Sequence, residues 1–252
     1  SGTGATGVVT VTGPGSMWTV TGGLSVGRHR GSYDGGSGTL NILDSGAVNV
    51  TQTVTVGSTG HVLLDGGSLT TSNLKGASGG PVGEGDIDFI DGTLTINNGG
   101  QTHFDFINVL EGPDMGRNPT LQIVDDARGS FDHLQVGHRN RGTLHVASGG
   151  LLFSNSAAIG VGDIYSNPVG LVTVSGLFEP VYQPSHWISG PLTVGGSGGN
   201  GTVNIESGGV LVSEDSFIGV GDHPGGSDFE FSSGSVGMVT VSGNHSTWDN
   251  VG

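Results

Sequence analysis

Cysteine is absent from this chain of 252 residues, and charged residues are only 12% of it, against roughly a quarter in an average soluble domain. A small secreted domain normally needs disulfides, so a fold with one continuous core along its length is expected instead. No apolar run approaches the ~20 residues of a membrane-spanning helix, and no secretion signal is present. No membrane insertion is therefore predicted within this chain. Because residue 1 is Ser1, we expect the sequence to begin after processing or inside a longer protein.

Basic residues are scarce as well. Seven lysines and arginines stand against 22 acidic residues, which gives a formal net charge of −15. Such a surface repels the phosphate backbone of nucleic acids and anionic membranes. No nucleic-acid partner is expected.

Glycine, by contrast, is abundant, with 52 residues. The run Gly7–Val11 breaks the three-residue period that collagen requires. Recurring β-branched runs such as Val9–Thr12 argue against a disordered chain. The composition therefore predicts an all-β repeat fold with many tight turns.

One unit recurs: a glycine, a strand with alternating apolar residues, and a small polar or glycine turn. It is found at Gly38–Gly46, Gly92–Gly100, Gly142–Gly150 and Gly201–Gly209, with weaker copies at Gly60–Gly67 and Pro119–Ala127. A sister version at Gly7–Gly13, Gly170–Gly176 and Gly237–Gly243 is followed each time by a tryptophan, namely Trp18, Trp187 or Trp248. A second strand ending in Val-Gly follows downstream, as in Leu192–Gly195. The nine repeat starts, from residue 7 to residue 237, give eight intervals over 230 residues, or about 29 residues each.

This spacing predicts a β-solenoid of about eight to nine coils, each with three short strands. Alternation sends the apolar residues of each strand to one side. Stacked coils are then expected to align Leu40, Leu121, Leu144 and Val203 into one continuous interior ladder. Glycines at the corners supply the positive φ angles of sharp turns, and uneven intervals place extra residues in loops.

These repeats resemble the passenger regions of bacterial autotransporters and related surface β-helix proteins. The resemblance rests on Gly201–Gly209, Leu192–Gly195 and Val239–Gly243 with Trp248. It implies an extracellular right-handed β-helix that carries adhesion, self-association or a grafted effector. The predicted fold is therefore all-β, a right-handed parallel β-helix over residues 1–252 as a single domain.

The two ends show the same phase of the repeat, Gly7–Val11 and Gly237–Val241. Neither carries a polar or helical cap, although an exposed sheet edge normally needs one. The chain is therefore predicted to be a segment of a longer solenoid or to stack end to end on copies of itself.

Two groups of acids are candidates for chemistry. The pair Asp125-Asp126 could act as acid and base on a polysaccharide, but its alignment with Asp44-Ser45 places it in a corner turn, where aspartate bonds the local backbone. The second group could bind Ca²⁺ through carboxylate oxygens, although a solvated acidic face is the expected alternative. It comprises Asp86, Asp88, Asp91, Asp105 and Asp114.

The nine histidines show no metal-ligand spacing. They are His29, His61, His103, His133, His138, His145, His186, His223 and His245. His145 occupies the outward position of Asn41 and Asn204 and is expected to face solvent. Two basic segments, Arg28–Arg30 and His138–Arg141, are expected to be solvated loops, or else contacts for acidic sugars or another subunit.

Threonines in Thr10–Thr12, Thr53–Thr55 and Thr173–Ser175 hint at an ice-binding face, but they fall on non-adjacent coils. The three tryptophans are predicted to pack in the core rather than to form a sugar platform. No catalytic residue, cofactor site or metal site is therefore assigned.

The predicted function is an extracellular, cell-surface structural or adhesive protein of bacterial type, without catalytic activity. Its expected partners are copies of itself, a carbohydrate or a host surface. The alternative is a polysaccharide hydrolase or lyase that uses acids of residues 86–132. A fold of this kind does not specify its activity.

Overall fold

The computed structural model describes residues 4–27, 36–76, 82, 87–104, 116–162, 168–178, 183–220 and 234–252. Over these residues it is all-β, with 26 strands and no helix. The strands are β1 (Thr6–Thr12), β2 (Met17–Val20), β3 (Leu24–Val26), β4 (Ser37–Leu43), β5 (Ala47–Val56), β6 (Gly60–Asp65), β7 (Gly67–Lys75), β8 (Ile87–Phe89), β9 (Gly92–Ile96), β10 (Gln101–Phe104), β11 (Thr120–Ile123), β12 (Arg128–Phe131), β13 (Leu134–Val136), β14 (Arg141–Ala147), β15 (Leu151–Ser154), β16 (Ala157–Val161), β17 (Val169–Ser175), β18 (Leu177–Phe178), β19 (Gln183–Pro184), β20 (His186–Ser189), β21 (Leu192–Gly196), β22 (Asn200–Glu206), β23 (Val210–Ser213), β24 (Ser216–Val220), β25 (Val236–Ser242) and β26 (Thr247–Asn250).

Within these ranges the strands form four sheets. Two have four strands each, in the orders β1-β4-β6-β8 and β13-β16-β21-β24. A sheet of 16 strands contains the path β25-β22-β17-β14-β11-β9-β7-β10-β12-β15-β20-β23-β26, with β5 beside β7 and β2 and β3 beside β5. The pair β18–β19 is antiparallel, whereas the strand pairs of the three larger sheets are parallel.

The predicted fold class, a right-handed parallel β-helix of eight to nine coils, is wrong. The strands are parallel as expected, but a path of 13 of them forms one nearly closed, barrel-like sheet instead of separate stacks of equal coils. The intervals between repeat starts are uneven, as the sequence indicates. Paired glycines are 22 residues apart between Gly38 and Gly60 and 36 residues apart between Gly201 and Gly237.

Strand β7 is the reason why the sheet is continuous. Its first half pairs with β9, from Gly67 to Thr71, and its Leu74 pairs with Thr102 of β10. It therefore joins two series of strands, which we call the β9 branch (β9, β11, β14, β17, β22, β25) and the β10 branch (β10, β12, β15, β20, β23, β26). A repeat pattern cannot predict such a strand, because the alternation of residues shows which side of a strand is apolar. It does not show how many other strands pair with it.

The predicted interior ladder is correct for three of its four members. Leu121, Leu144 and Val203 lie in register in the β9 branch, with Val172 between the last two. Leu40 is equally buried but pairs with Val9 and Val62 in the first four-stranded sheet. The same motif therefore serves two different sheets.

Corner turns follow the β9-branch strands and β4. Non-glycine residues adopt positive φ there, including Asp44 (47°), Asn98 (53°), Ser148 (51°) and Ser207 (52°). Aspartate, asparagine and serine tolerate this conformation better than bulky residues, since their short polar side chains bond the local backbone. The prediction of tight corners is confirmed, although glycine is not the sole residue type that builds them.

Some strand starts approach other backbone so closely that only glycine fits. A Cβ atom on Gly201 would lie 2.1 Å from the carbonyl oxygen of Ile159 and 2.4 Å from the amide nitrogen of Gly195. Both contacts are far inside van der Waals separation, so this corner requires a residue without a side chain.

Candidate functional site

The paired acids Asp125 and Asp126 lie in a corner turn, as predicted. Both have positive φ, 53° and 60°. The side-chain amide of Gln183 donates to Asp126 Oδ1 over 3.3 Å, and the amide of Gly99 donates to the carbonyl of Asp125 over 2.8 Å. The positive φ angles of this turn explain why aspartates occur at both positions.

The second acidic group is divided between several partners. Asp88 Oδ2 lies 3.0 Å from His61 Nε2. Asp91 Oδ1 accepts from the amides of Gly92 (2.9 Å) and Asn118 (3.1 Å), and the Arg117 guanidinium bridges Asp91 and Asp65. Each carboxylate is thus engaged with a donor or a cation, and these acids do not share one centre.

The remaining acids, Asp86, Asp105 and Asp114, lie outside the described residues. In the part of the chain that the structure describes, no group of three or more histidines, aspartates and glutamates could hold a metal ion. Calcium binding stays a prediction.

Most of the described histidines contact a polar group of a neighbouring strand or turn. His103 Nδ1 lies 2.7 Å from Ser130 Oγ, and His133 Nδ1 lies 2.7 Å from Ser156 Oγ. His186 Nδ1 lies 2.9 Å from the carbonyl of Pro184. His245 is in a corner turn with φ 64°, and His29 and His223 lie outside the described residues.

His145 is outward, as expected, but it is half-buried rather than fully solvated. It lies in register between Gln122 and Thr173 on the neighbouring strands. Burial lowers the pKa of His145 below its usual 6.5, while the negative charge of Glu206 acts in the opposite direction. Asn204 continues this outward ladder beyond Thr173, whereas Asn41 lies in a different sheet.

Of the two basic segments, Arg28–Arg30 lies outside the described residues. In the segment His138–Arg141, His138 Nδ1 lies 2.8 Å from the carbonyl of Val161, and Asn140 accepts through its carbonyl from the amide of Val169. Arg141 is exposed at the start of β14. Two residues of this segment are thus hydrogen-bonded to β16 and β17, while Arg139 and Arg141 are exposed.

The threonines proposed for an ice-binding face do not form one ladder, since Thr53–Thr55 in β5 and Thr173–Ser175 in β17 lie on non-adjacent strands of the 16-stranded sheet. Thr10 pairs with Asn41 in the first four-stranded sheet, and Thr173 lies between His145 and Asn204 in the β9 branch. They do not face one another.

Trp187 confirms the prediction of core packing. It is fully buried, and its indole Nε1 donates to Ser154 Oγ over 3.0 Å. Trp248 makes the same bond to Ser213 over 2.9 Å but is only partly buried, as is Trp18. Both pack against the core from opposite ends of the sheets.

Side-chain sizes along the interior of the β10 branch explain how this tryptophan fits. Each strand presents two inward positions, two residues apart. The pair is Gly129 and Phe131 in β12, where Phe131 stacks on Phe104 with ring centroids 4.8 Å apart. It is Trp187 and Ser189 in β20. A small residue accompanies each large one, so the interior stays filled along the branch.

The outward face of the same branch exposes apolar side chains. We define the apolar stripe as Leu151, Phe153, Ile188, Val210 and Val212. Phe153 pairs with Ile188, which pairs with Val212. Phe153 is 41% exposed and Ile188 is 38% exposed, whereas the alternate residues of these strands are buried.

Polar residues border this stripe. Ser130 precedes Phe153 in the ladder, and Asp249 follows Val212. In the second outward row of the same strands, Arg128 precedes Leu151, and His186 lies between Leu151 and Val210. An apolar centre with a polar rim is the usual make-up of a contact surface.

Sequence reasoning missed the apolar stripe, although a signal was present. Leu151-Leu152-Phe153 and Trp187-Ile188 break the alternation, because apolar residues occupy both sides of the strand. A strand that is apolar on both faces is either buried on both or exposes one. Only the three-dimensional arrangement shows that nothing in the described ranges covers the outward face.

Comparison with models of known protein families, with curated proteins and with solved structures finds no match to this chain. The resemblance to autotransporter passenger regions therefore stays a prediction. The described residues contain no helix with the length and hydropathy needed to cross a membrane.

Proposed function

We propose that this chain is a structural and adhesive scaffold of a bacterial cell surface, which binds through a lateral sheet face and does not catalyse a reaction. The observation that carries this proposal is the apolar stripe on the outward face of the β10 branch. Phe153 and Ile188 are neighbours in register and are both well exposed. Exposed contiguous apolar surface on a soluble fold favours an interaction site.

The position of the stripe suits adhesion. Its side chains stand on the parallel strands β15, β20 and β23, which are hydrogen-bonded to one another. Beneath them lie the buried Leu152, Trp187 and Leu211. A preorganised face loses little conformational entropy when it binds, so even a modest contact area is useful.

The alternative, a polysaccharide-cleaving enzyme with acids of residues 86–132, has weaker support. Asp125 and Asp126 are turn residues, Asp91 is held by two backbone amides and lies near Arg117, and Asp132 accepts from Asn155 over 3.2 Å. A general acid and base must face one substrate bond together. These acids have separate hydrogen-bond partners, and no pair of them is held by one set of contacts.

Adhesion can be tested with beads coated with the chain, applied to host-cell layers and to immobilised glycans. The double variant Phe153→Thr with Ile188→Thr removes the apolar side chains and keeps β-branched residues. We expect at least a tenfold loss of bead retention. The control is Val8→Thr, which removes an exposed apolar side chain on β1. Equal retention by the native chain and the double variant would refute the role of the stripe.

Catalysis can be tested separately by incubation with acidic and neutral polysaccharides. We expect no release of reducing ends and no unsaturated products. If the native chain cleaved a polysaccharide and the Asp91→Asn variant did not, the alternative enzymatic function would be supported instead.

A further inference from the structure

The outward face of the β10 branch continues beyond the apolar stripe onto β12, β10 and β7. Alternate residues of these strands are buried, so the residues between them point outward. On β7, Lys75 follows the buried Leu74, which pairs with Thr102 of β10. We define the polar patch by five outward residues of these three strands, namely Lys75, Gln101, His103, Arg128 and Ser130.

The polar patch and the apolar stripe are neighbours in one sheet. Arg128 pairs with Leu151, and Ser130 pairs with Phe153. Neighbouring strands of a sheet lie about 5 Å apart. The strands of Lys75 and Arg128 lie on either side of β10, which places them about 10 Å apart. One extended ligand that runs across the strands would therefore contact both the patch and the stripe.

This face differs in charge from the rest of the chain. The strands β10, β12, β15, β20 and β23 each place two side chains outward, and none of these ten residues is an aspartate or a glutamate. The chain as a whole contains 22 acidic residues and has a net charge of −15. Two acids that flank β12, Asp126 and Asp132, accept hydrogen bonds from Gln183 and Asn155. The face therefore presents positive charge on an otherwise acidic protein.

The two cations of the polar patch are open to an anionic ligand. Lys75 and Arg128 are both exposed. The ion pairs of the described residues have Arg117 and His61 as their basic members, so neither Lys75 nor Arg128 takes part in one within these ranges. A guanidinium binds a carboxylate through two parallel hydrogen bonds. Charge complementarity therefore favours a carboxylated ligand at this patch.

Hydrogen bonds join the strands that carry the polar patch. His103 Nδ1 lies 2.7 Å from Ser130 Oγ, which links β10 to β12. The backbone amide of Gln101 donates to Asn73 Oδ1 of β7 over 2.9 Å. The patch is thus ordered before a ligand arrives, so little conformational entropy is lost on binding.

A linear acidic polysaccharide matches both parts of this face. A sugar ring has a C–H face that covers an apolar side chain such as Phe153. The hydroxyl groups at its rim form hydrogen bonds with side chains such as Gln101 and His103. Carboxylates on some of its rings would meet Lys75 and Arg128. One polymer with charged and neutral groups therefore satisfies the patch and the stripe together.

Two other anionic polymers match the face less well. A peptide that adds to a sheet needs a free strand edge, but β10, β12, β15 and β20 each pair with a strand on both sides. A nucleic acid carries one charge about every 3.4 Å along a strand. Two cations about 10 Å apart neutralise few of these charges, and the net charge of −15 repels the others.

We propose that the polar patch and the apolar stripe form one binding face for a linear acidic polysaccharide that lies across the strands. Lys75 and Arg128 bind its carboxylates, and Phe153 supports one of its sugar rings. The inference rests on the proposed adhesive function of the stripe and adds the chemical class of the ligand.

Titration calorimetry with hyaluronate and with polygalacturonate tests the class of ligand. The matched probes are the same polymers with their carboxylates reduced to alcohols. We expect the native chain to bind the acidic polymers about tenfold more tightly than the reduced ones, because hydrogen bonds to charged groups are lost. Higher ionic strength should narrow this difference. Equal affinity for acidic and reduced polymers, or no binding to either acidic polymer, would overturn the proposal.

The double variant Lys75→Gln with Arg128→Gln removes both charges and keeps polar side chains. Its affinity for the acidic polymers should fall about tenfold, with little change for the reduced polymers. Because both side chains are exposed, the unfolding midpoint should stay at the native value. Unchanged affinity for the acidic polymers would contradict the role of the two cations.

Arg141→Gln is the matched control for the single variant Arg128→Gln. Both arginines are exposed and are the first residue of a strand, but Arg141 begins β14 in the β9 branch. Arg128→Gln should weaken the binding of the acidic polymers, and Arg141→Gln should leave it unchanged. An equal loss in both variants would attribute the effect to net charge and would refute a local site.

Polyglutamate and single-stranded DNA distinguish a sugar polymer from other polyanions. Tighter binding of either one than of the acidic polysaccharides would assign the face to that class of polymer and overturn the proposal.

The bead assay separates this inference from the adhesive function. Retention on acidic glycans that is lost in the variant of Phe153 and Ile188 but unchanged in the variant of Lys75 and Arg128 would leave adhesion in place and refute the acidic ligand. Equal retention by the native chain and the variant of Phe153 and Ile188 would instead refute the adhesive function on which the proposal rests.

Discussion

Edge and interior positions of the same motif differ in what the fold requires of them. Gly7 and Gly201 are each the second residue of a strand and start the pattern Gly-x-Val, but only a Cβ atom on Gly201 would lie within 3 Å of other backbone. Val9 and Val203 occupy the next inward position, but Val9 is half exposed and Val203 is buried. The same motif is therefore fully packed at interior positions and only partly packed at edge positions.

The largest effect is expected from Gly201→Ala. The new Cβ atom would overlap the carbonyl oxygen of Ile159, and backbone cannot move away as a flexible side chain would. We expect a loss of about 4 kcal/mol or more in the free energy of unfolding, measured by urea denaturation. Gly7→Ala should change it by less than about 0.5 kcal/mol at concentrations where the chain is monomeric. Equal losses in the free energy of unfolding for the two variants would contradict the difference between interior and edge positions.

A smaller difference is expected between Leu144→Ala and Val9→Ala. Leu144 is fully buried between Leu121 and Val172, so its truncation leaves a cavity and should cost about 2–5 kcal/mol. Val9 is already partly exposed, so its truncation removes little buried apolar surface and should cost less than about 1 kcal/mol. Thermal unfolding of the monomer measures both. A loss at Val9 as large as that at Leu144 would show that the edge is already covered.

The next smaller effect is expected from the hydrogen bond between a tryptophan indole and a serine hydroxyl. Ser154→Ala leaves the buried Nε1 of Trp187 without an acceptor and removes the donor to Ser189, so it should cost about 1–3 kcal/mol. Ser213→Ala removes the acceptor of the partly buried Trp248, where water can substitute. It should cost less than about 1 kcal/mol. The reverse order in denaturant titrations would contradict this assignment.

The smallest effect concerns pH. Burial lowers the pKa of His145 in the folded chain, so the unfolded chain takes up a proton first as the pH falls below about 6.5. Folding stability should therefore fall as the pH drops from 7 toward 5, and the slope should be smaller in His145→Gln. The same change at His245, which is exposed, controls for the loss of an imidazole. An unchanged slope in His145→Gln would mean that other groups cause the acid sensitivity.

The local parts of the structure could be predicted from the sequence, and the assembly of the strands into sheets could be predicted only in part. Asp125 and Asp126 were correctly placed in a corner because positive φ favours short polar residues. Leu121 and Leu144 were correctly aligned because alternation and spacing agree there. Leu40 was assigned to the wrong ladder, since one motif serves two sheets. The apolar stripe escaped prediction because exposure of Phe153 depends on what covers it.

The sequence by itself determined which side of each strand is apolar, where the chain turns and which glycines begin the strands, because alternation, positive φ and side-chain size act within a few residues. Only the tertiary structure decided which sheet each strand joins and which strand has more than two neighbours. The nine residues of β7 serve both branches, and the loops between strands vary in length, so the pairing of each strand depends on the whole chain and not on its own residues. The same physical reason explains why the apolar stripe became visible only in three dimensions.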